Sequence, residues 1–149
     1  MTVYEDCMNQ IVTDIDALGF TTLRNNDVKK RSWPWDRHRV FQGISVHFPF
    51  NQNEQEVAGT VSCDDIVYPV MVTVIRGTGG REQDNITRLT DWREKIRLKF
   101  INQRLSGVTS VYTMKVRFGR ILLPKKWRDN YQATTMAILC YSRESRGGV

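Results

Sequence analysis

The chain has 149 residues, 40% hydrophobic and 26% charged, which fits one globular domain and excludes an intrinsically disordered chain. Its 22 Lys and Arg against 16 Asp and Glu give a formal charge of +6, a balance that permits contact with nucleic acid or an acidic partner without requiring it. No apolar run approaches the roughly 18 residues that span a bilayer, so no membrane partner is expected. Glu5 and Asp6 stand where a signal peptide carries Lys or Arg, so no export signal is expected either. The cysteines Cys7, Cys63 and Cys140 are odd in number and far apart. That pattern predicts free, packed thiols of a reducing compartment and not a disulfide framework.

Residues 4–18 read as the first helix. Met8, Ile11, Ile15 and Leu18 fall on one stripe, with Cys7 and Val12 beside it, and Gly19 follows as a C-terminal cap. FTTLRNND then suggests a short strand closing in an Asn-Asn-Asp turn. KKRSWPWDRHR, 29–39, has no clean period, and Pro34 restricts Trp33 to extended conformations, so it reads as a loop. From Arg39 to Phe48 the chain alternates as a half-buried strand. NQNEQE is a polar turn, residues 57–62 a short strand, and Asp64–Asp65 a turn. YPVMVTVI, 68–75, is apolar on both faces and reads as a central strand, with Pro69 at its start because proline cannot donate to the ladder.

After the glycines of VIRGTGGREQDN, residues 82–105 carry Ile86, Leu89, Trp92, Ile96 and Phe100 on one helical face. Asp91 stands four before Lys95, a favourable pair; Glu94 has no useful partner at that spacing. Gly107 ends the helix. Val108 to Phe118 alternates again, with Tyr112, Met114, Val116 and Phe118 opposite Thr113, Lys115 and Arg117. Tyr131 to Tyr141 is the final strand, and SRESRGGV a fraying tail. The whole predicts an α+β domain over 1–143: a single, mostly antiparallel sheet with the N-terminal and long middle helices packed on it, and a flexible tail over 144–149.

Chemistry finds little footing. The glycine loop lacks the Lys-Ser or Lys-Thr of a P-loop and has Glu82 where a dinucleotide fingerprint needs its third glycine. Glu82 and Asp84 also open the next helix with charges that repel phosphate. His38 and His47 are the only histidines, no serine sits in G-x-S-x-G, and no cysteine has ligand spacing. Cys63-Asp64-Asp65 lacks the companion Glu and Lys of a nuclease. Neither an enzyme nor a metal or cofactor is expected.

Two features remain as interaction candidates. In the tryptophan loop, Arg31, Trp33, Trp35 and Arg37 would anchor a protein partner or stack on single-stranded bases, unless the rings fold back onto the core edge. On the later strand, Lys115 and Arg117 make a wet, basic face, or an ordinary solvated one.

The order of elements, the central strand D-x-x-Y-P-V-x-V (Asp65, Tyr68, Pro69, Val70, Val72) and the closing YSRESRGG, Tyr141 to Gly148, resemble the tail terminator and tail-completion (neck) proteins of tailed bacteriophages. The resemblance implies a structural virion protein, assembled in the host cytoplasm. It would form a homo-oligomeric ring, expected to be a hexamer, that terminates the tail tube and joins it to the head-side connector. It further implies contacts with the tail tube and neck proteins, a Trp33/Trp35 loop that grips an adjacent subunit or the neighbouring ring, and transient, sequence-independent contact with passing DNA. Arg76, Arg81, Lys115 and Arg117 are the residues expected on that DNA-facing wall. A head-closure adaptor, and a small basic nucleic-acid-binding module, are the alternatives.

Overall fold

The computed structural model describes residues 2–20, 28–30, 43–49, 53–77, 82–119 and 131–146. The elements run α1 (Val3–Ala17), β1 (Val28–Lys30), β2 (Gly43–His47), β3 (Gln55–Gly59), β4 (Cys63–Gly77), α2 (Glu82–Phe100), β5 (Val111–Phe118) and β6 (Tyr131–Ser145). They build the expected α+β domain: one six-stranded sheet, antiparallel except where β1 runs parallel to β2, with order β1-β2-β4-β6-β5 and β3 added beside β4.

α1 starts where its sequence says it should. The Thr2 hydroxyl accepts from the Glu5 backbone N–H at 3.2 Å, and the Glu5 carboxylate accepts from the Thr2 N–H at 3.1 Å. This reciprocal cap satisfies two orphan donors and contributes about 1 kcal/mol. Leu18 closes the helix and Gly19 follows at φ +64°, which only glycine adopts without strain. Tyr4, Cys7, Met8, Ile11 and Ile15 of α1 and Leu89, Trp92, Ile96 and Phe100 of α2 are buried in one cluster. The same cluster holds Val70, Val72 and Val74 of β4 and Met136, Ile138 and Cys140 of β6. These strand residues alternate, so both helices cover one face of the sheet, hereafter the helix face.

β4 and β6 are each 15 residues long and pair along their whole length, from Cys63 with Ser145 to Gly77 with Tyr131. The other side of β4 is shared. β2 pairs with Met71–Ile75, and β3 with Asp64–Val67. Between them sits Pro69. The Tyr4 hydroxyl donates to its carbonyl. N and O of one residue point the same way across an antiparallel ladder, so the missing N–H of Pro69 faces this gap and not β6. The strand therefore starts six residues before Pro69, where the sequence had suggested a start at the proline itself.

Other boundaries also differ. Asp64 and Asp65, expected in a turn, lie in β4 opposite Glu144 and Arg143; the turn is one step earlier, at Thr60–Ser62. The short strand expected at 57–62 is β3, Gln55–Gly59. Lys29 and Lys30, read as loop, pair with Ser45 and Val46. β2 is buried at all five positions rather than on one face, so both sides of the sheet are covered along it. His47 is 1% exposed; its Nδ1–H donates to the Phe48 carbonyl at 2.9 Å and its Nε2 accepts from the Thr73 hydroxyl at 2.9 Å. A carbonyl can only accept, which fixes that tautomer for the neutral ring.

α2 stops at Phe100, five residues before the expected end. Asn102 takes φ +56°, and its N–H bonds to the Met114 carbonyl on the β5 edge at 2.8 Å. Asparagine tolerates the left-handed conformation and so ends the helix before Gly107. Asp91 pairs with Lys95 at 3.0 Å as expected, whereas Glu94 does have a partner, Arg97 at i+3 and 2.6 Å. β5 begins at Val111, not Val108, and a register shift between Val111 and Thr113 takes Tyr112 out of the alternation. Glu144 and Ser145, assigned to a tail, are ladder residues of β6.

Candidate interaction surface

Lys115 and Arg117 alternate along β5 opposite Leu139 and Ala137 of β6, so they share a face with Val67, Pro69 and Met71 of β4. This is the face away from the helices, the outer face. It carries its own small apolar cluster, Val67, Ala137 and Leu139, with Met71 and Tyr141 packed alongside. A concavity of about 320 Å³ opens there. Val67, Pro69 and Leu139 line it together with Tyr141 and Arg117, and Gln55 closes it on the β3 side. Lys115 Nζ lies 5.4 Å from the centre of the Tyr141 ring, a cation–π approach. Arg143 is the third cation. Its guanidinium binds both carboxylate oxygens of Asp65, at 2.8 and 3.0 Å, and stands 5.4 Å from the Tyr112 ring. That contact holds the Asp65 carboxyl below the usual carboxylate range. The displaced Tyr112 sits 6.5 Å from Tyr141, so the bulge is what brings a second ring to this face.

Beyond the core the sheet narrows to three strands: β3, the Cys63–Ile66 end of β4 and the Ser142–Ser145 end of β6. Every residue of β3 is exposed, and Val61 in the turn is 94% exposed. On the helix face of this blade the chemistry is acidic. Asp64 is in register with Glu144, and Glu56 with Ile66 on the same face. Gln55 is in register with Val67 of the outer face, so its neighbour Glu54 falls toward the helix side, where its charge adds to burial in raising the Tyr4 hydroxyl. The Tyr68 hydroxyl donates to both oxygens of Glu144, at 3.0 and 2.9 Å. One cation answers these acids: Arg146 binds both Asp64 oxygens, at 2.9 and 3.0 Å, and comes within 4.0 Å of Glu56. A side chain at Gly59 would put its Cβ 2.6 Å from Glu56 Oε1, so glycine leaves the carboxylates their room.

Of the residues expected to act together, the structure brings Lys115 and Arg117 side by side. Arg76 lies in β4 opposite Gln132, five residues along β6 from the partner of Arg117, or about 17 Å at ~3.3 Å per residue. Arg81, and the loop residues Arg31, Trp33, Trp35 and Arg37, lie outside the described residues. The acidic blade escaped the sequence reading. Its one signal was the clustering of Glu54, Glu56, Asp64 and Asp65 around a turn.

Among the described residues no group of three or more His, Cys, Asp and Glu is placed to hold a metal ion, and no helix is long and apolar enough to cross a membrane. His47 is spent on its two hydrogen bonds within the sheet, and burial holds its imidazole below the ordinary range. Cys7 and Cys140 are buried together under α1; the contact with Cys7, then burial, raises the Cys140 thiol well above its ordinary value. Neither residue is placed as a nucleophile or base on an open surface. No model of a known protein family matches the chain, and no curated protein matches it.

Proposed function

We propose that the chain is a structural ring subunit of the neck or tail of a tailed bacteriophage, terminating the tail tube and joining it to the head-side connector. The observation that supports this reading is the exposed blade, where every residue of β3 stands in solvent. A sheet whose helices cover one side, and whose longest strands run on past the core, has surface built for a neighbour. Val57 at 60% and Val61 at 94% exposure put apolar surface on the same blade, available to a neighbour. Ring closure buries such surface head to tail.

In this role the protein needs no cofactor. Its partners are copies of itself, expected to form a hexamer, the tail tube and the connector, and DNA passes through the ring, met by phosphate charge alone. The test is a mass measurement by multi-angle light scattering, on the free protein and on protein bound to tail tubes. A ring-sized oligomer in either setting supports the reading. A strict monomer with no affinity for tail or neck components removes it.

One observation favours a second reading. Lys115, Arg117, Tyr141 and Tyr112 set cations beside aromatic rings on an exposed sheet face, the pairing that single-stranded nucleic-acid binders use for phosphates and bases. A nucleic-acid module would bind oligonucleotides with an affinity that falls steeply with salt and collapses in Lys115→Glu/Arg117→Glu, while remaining a monomer.

A further inference from the structure

The two faces of the sheet carry opposite charge at adjoining places. Among the described residues, the helix face of the blade carries Glu54, Glu56, Asp64 and Glu144 with the cation Arg146, and the outer face carries Lys115, Arg117 and Arg143 with the acid Asp65. The pairings within each face leave Glu54 and Glu144 on one side, and Lys115 and Arg117 on the other, with no ion-pair partner among the described residues, and Arg117 borders the apolar concavity.

We infer that copies of this chain join by laying the acidic blade face of one protomer against the basic outer face of the next. The inference builds on the ring reading and names its contact. Charge argues against self-pairing. A two-fold dimer built on either face alone would set that face against its own sign, and like charges held a few ångströms apart are costly. Joining opposite faces lets every copy offer one of each, so the contact repeats head to tail and closes a ring or grows a filament. The apolar share comes from Val61 at the blade tip and from the half-buried Met71 and Tyr141 of the receiving face. Lys115 and Arg117 thereby belong to the subunit contact rather than to the wall that meets DNA, where the sequence reading had put them. Charged rims govern association rate and partner choice, so assembly is salt-sensitive.

The test uses two charge-reversed full chains, Lys115→Glu/Arg117→Glu and Glu54→Lys/Glu56→Lys. All four positions are exposed, and circular dichroism with thermal melting shows that each variant is folded. Mass is measured by light scattering, free and on tail tubes. The first variant presents two acidic faces and the second two basic ones. Each alone is expected to lose the native oligomer, with at least a tenfold rise in the concentration needed for assembly. Mixed one to one, they are expected to regain the native mass as alternating copies, in which each contact again sets an acidic face against a basic one. Native-like assembly of either variant alone overturns the inference while leaving the ring reading intact, and so does failure of the mixture to assemble. A native chain that is monomeric in both settings overturns the ring reading itself, and the inference with it.

Discussion

Arg93 is the side chain whose removal tests the packing argument most directly. It projects from α2 into the end of the sheet and is 7% exposed. One guanidinium nitrogen, Nη1, donates to the Thr134 hydroxyl and, at 3.0 Å, to the Thr135 carbonyl; Nη2 donates to the Gly119 carbonyl at 2.7 Å. The guanidinium carbon lies 4.5 Å from the centre of the Phe118 ring. Gly119 fits because a Cβ there would fall 2.2 Å from the Thr135 hydroxyl oxygen. Replacing Arg93 with Met keeps the aliphatic bulk and removes every donor. Thr134 and Thr135 each lose a donor at a site with little water, at about 1–1.5 kcal/mol apiece. Gly119 is exposed, so solvent replaces that bond at almost no cost. The cation–π contact adds about 0.5 kcal/mol. Release from burying a charge returns about 1 kcal/mol, leaving a net loss of about 2 kcal/mol. For a chain of this size that lowers Tm by roughly 4–8 °C. Urea titration followed by circular dichroism reads it, with Arg93→Lys expected to lose about half as much because ammonium keeps the charge but not the fork. If Arg93→Met lies within about 0.5 kcal/mol of the native protein, the hydrogen bonds contribute nothing net and the argument fails.

Two further predictions concern titration and thiols. Burial depresses the His47 imidazole below its ordinary value, so the unfolded chain binds a proton first as pH falls, and stability present above about pH 6.5 declines below it. His47→Gln should flatten the stability curve between about pH 6.5 and 5, above the window where the lowered carboxyls of Asp65 and Glu94 lose their contribution; an unchanged slope would show that His47 titrates normally. Cys63 is half-buried whereas Cys7 and Cys140 are fully covered, so an alkylating reagent should label Cys63 alone in the native protein and all three only after denaturation. Mass spectrometry of tryptic peptides reads this directly, and rapid native labelling of Cys140 would contradict its placement under α1.

Local periodicity made both helices legible, since Met8, Ile11 and Ile15, and Leu89, Trp92, Ile96 and Phe100, each form a stripe that is buried as a unit. The central strand was legible for the same reason. What eluded the sequence lies in pairings between distant residues. Glu144 looks like part of a polar tail until Tyr68, 76 positions earlier, is found bonded to it. Asp64 and Asp65 look like a turn because acids favour turns, yet Arg146 and Arg143 hold them in a ladder. Pro69 looks like a strand start because a proline in a ladder wastes a bond, and nothing local reveals a gap between two neighbouring strands. Asn102 ended α2 where a count of apolar spacings would have continued it. The basic half of the surface was readable from Lys115 and Arg117 alone; the acidic half needed the fold.

The full-length pairing of β4 with β6 also bears on how the chain reaches this shape. β3 finds β4 across a short turn, β2 finds β4 with only β3 between, and β5 precedes β6 directly in the chain, so two strand groups can form before the long ladder does. The ladder that unites them joins Cys63 to Ser145 and Gly77 to Tyr131, with all of α2 between. Closing it brings together segments remote in sequence, and folding slows as such contacts dominate. Until then β4, the most apolar strand, waits with one edge open, and a crowded cell full of identical nascent chains offers that edge the wrong partner.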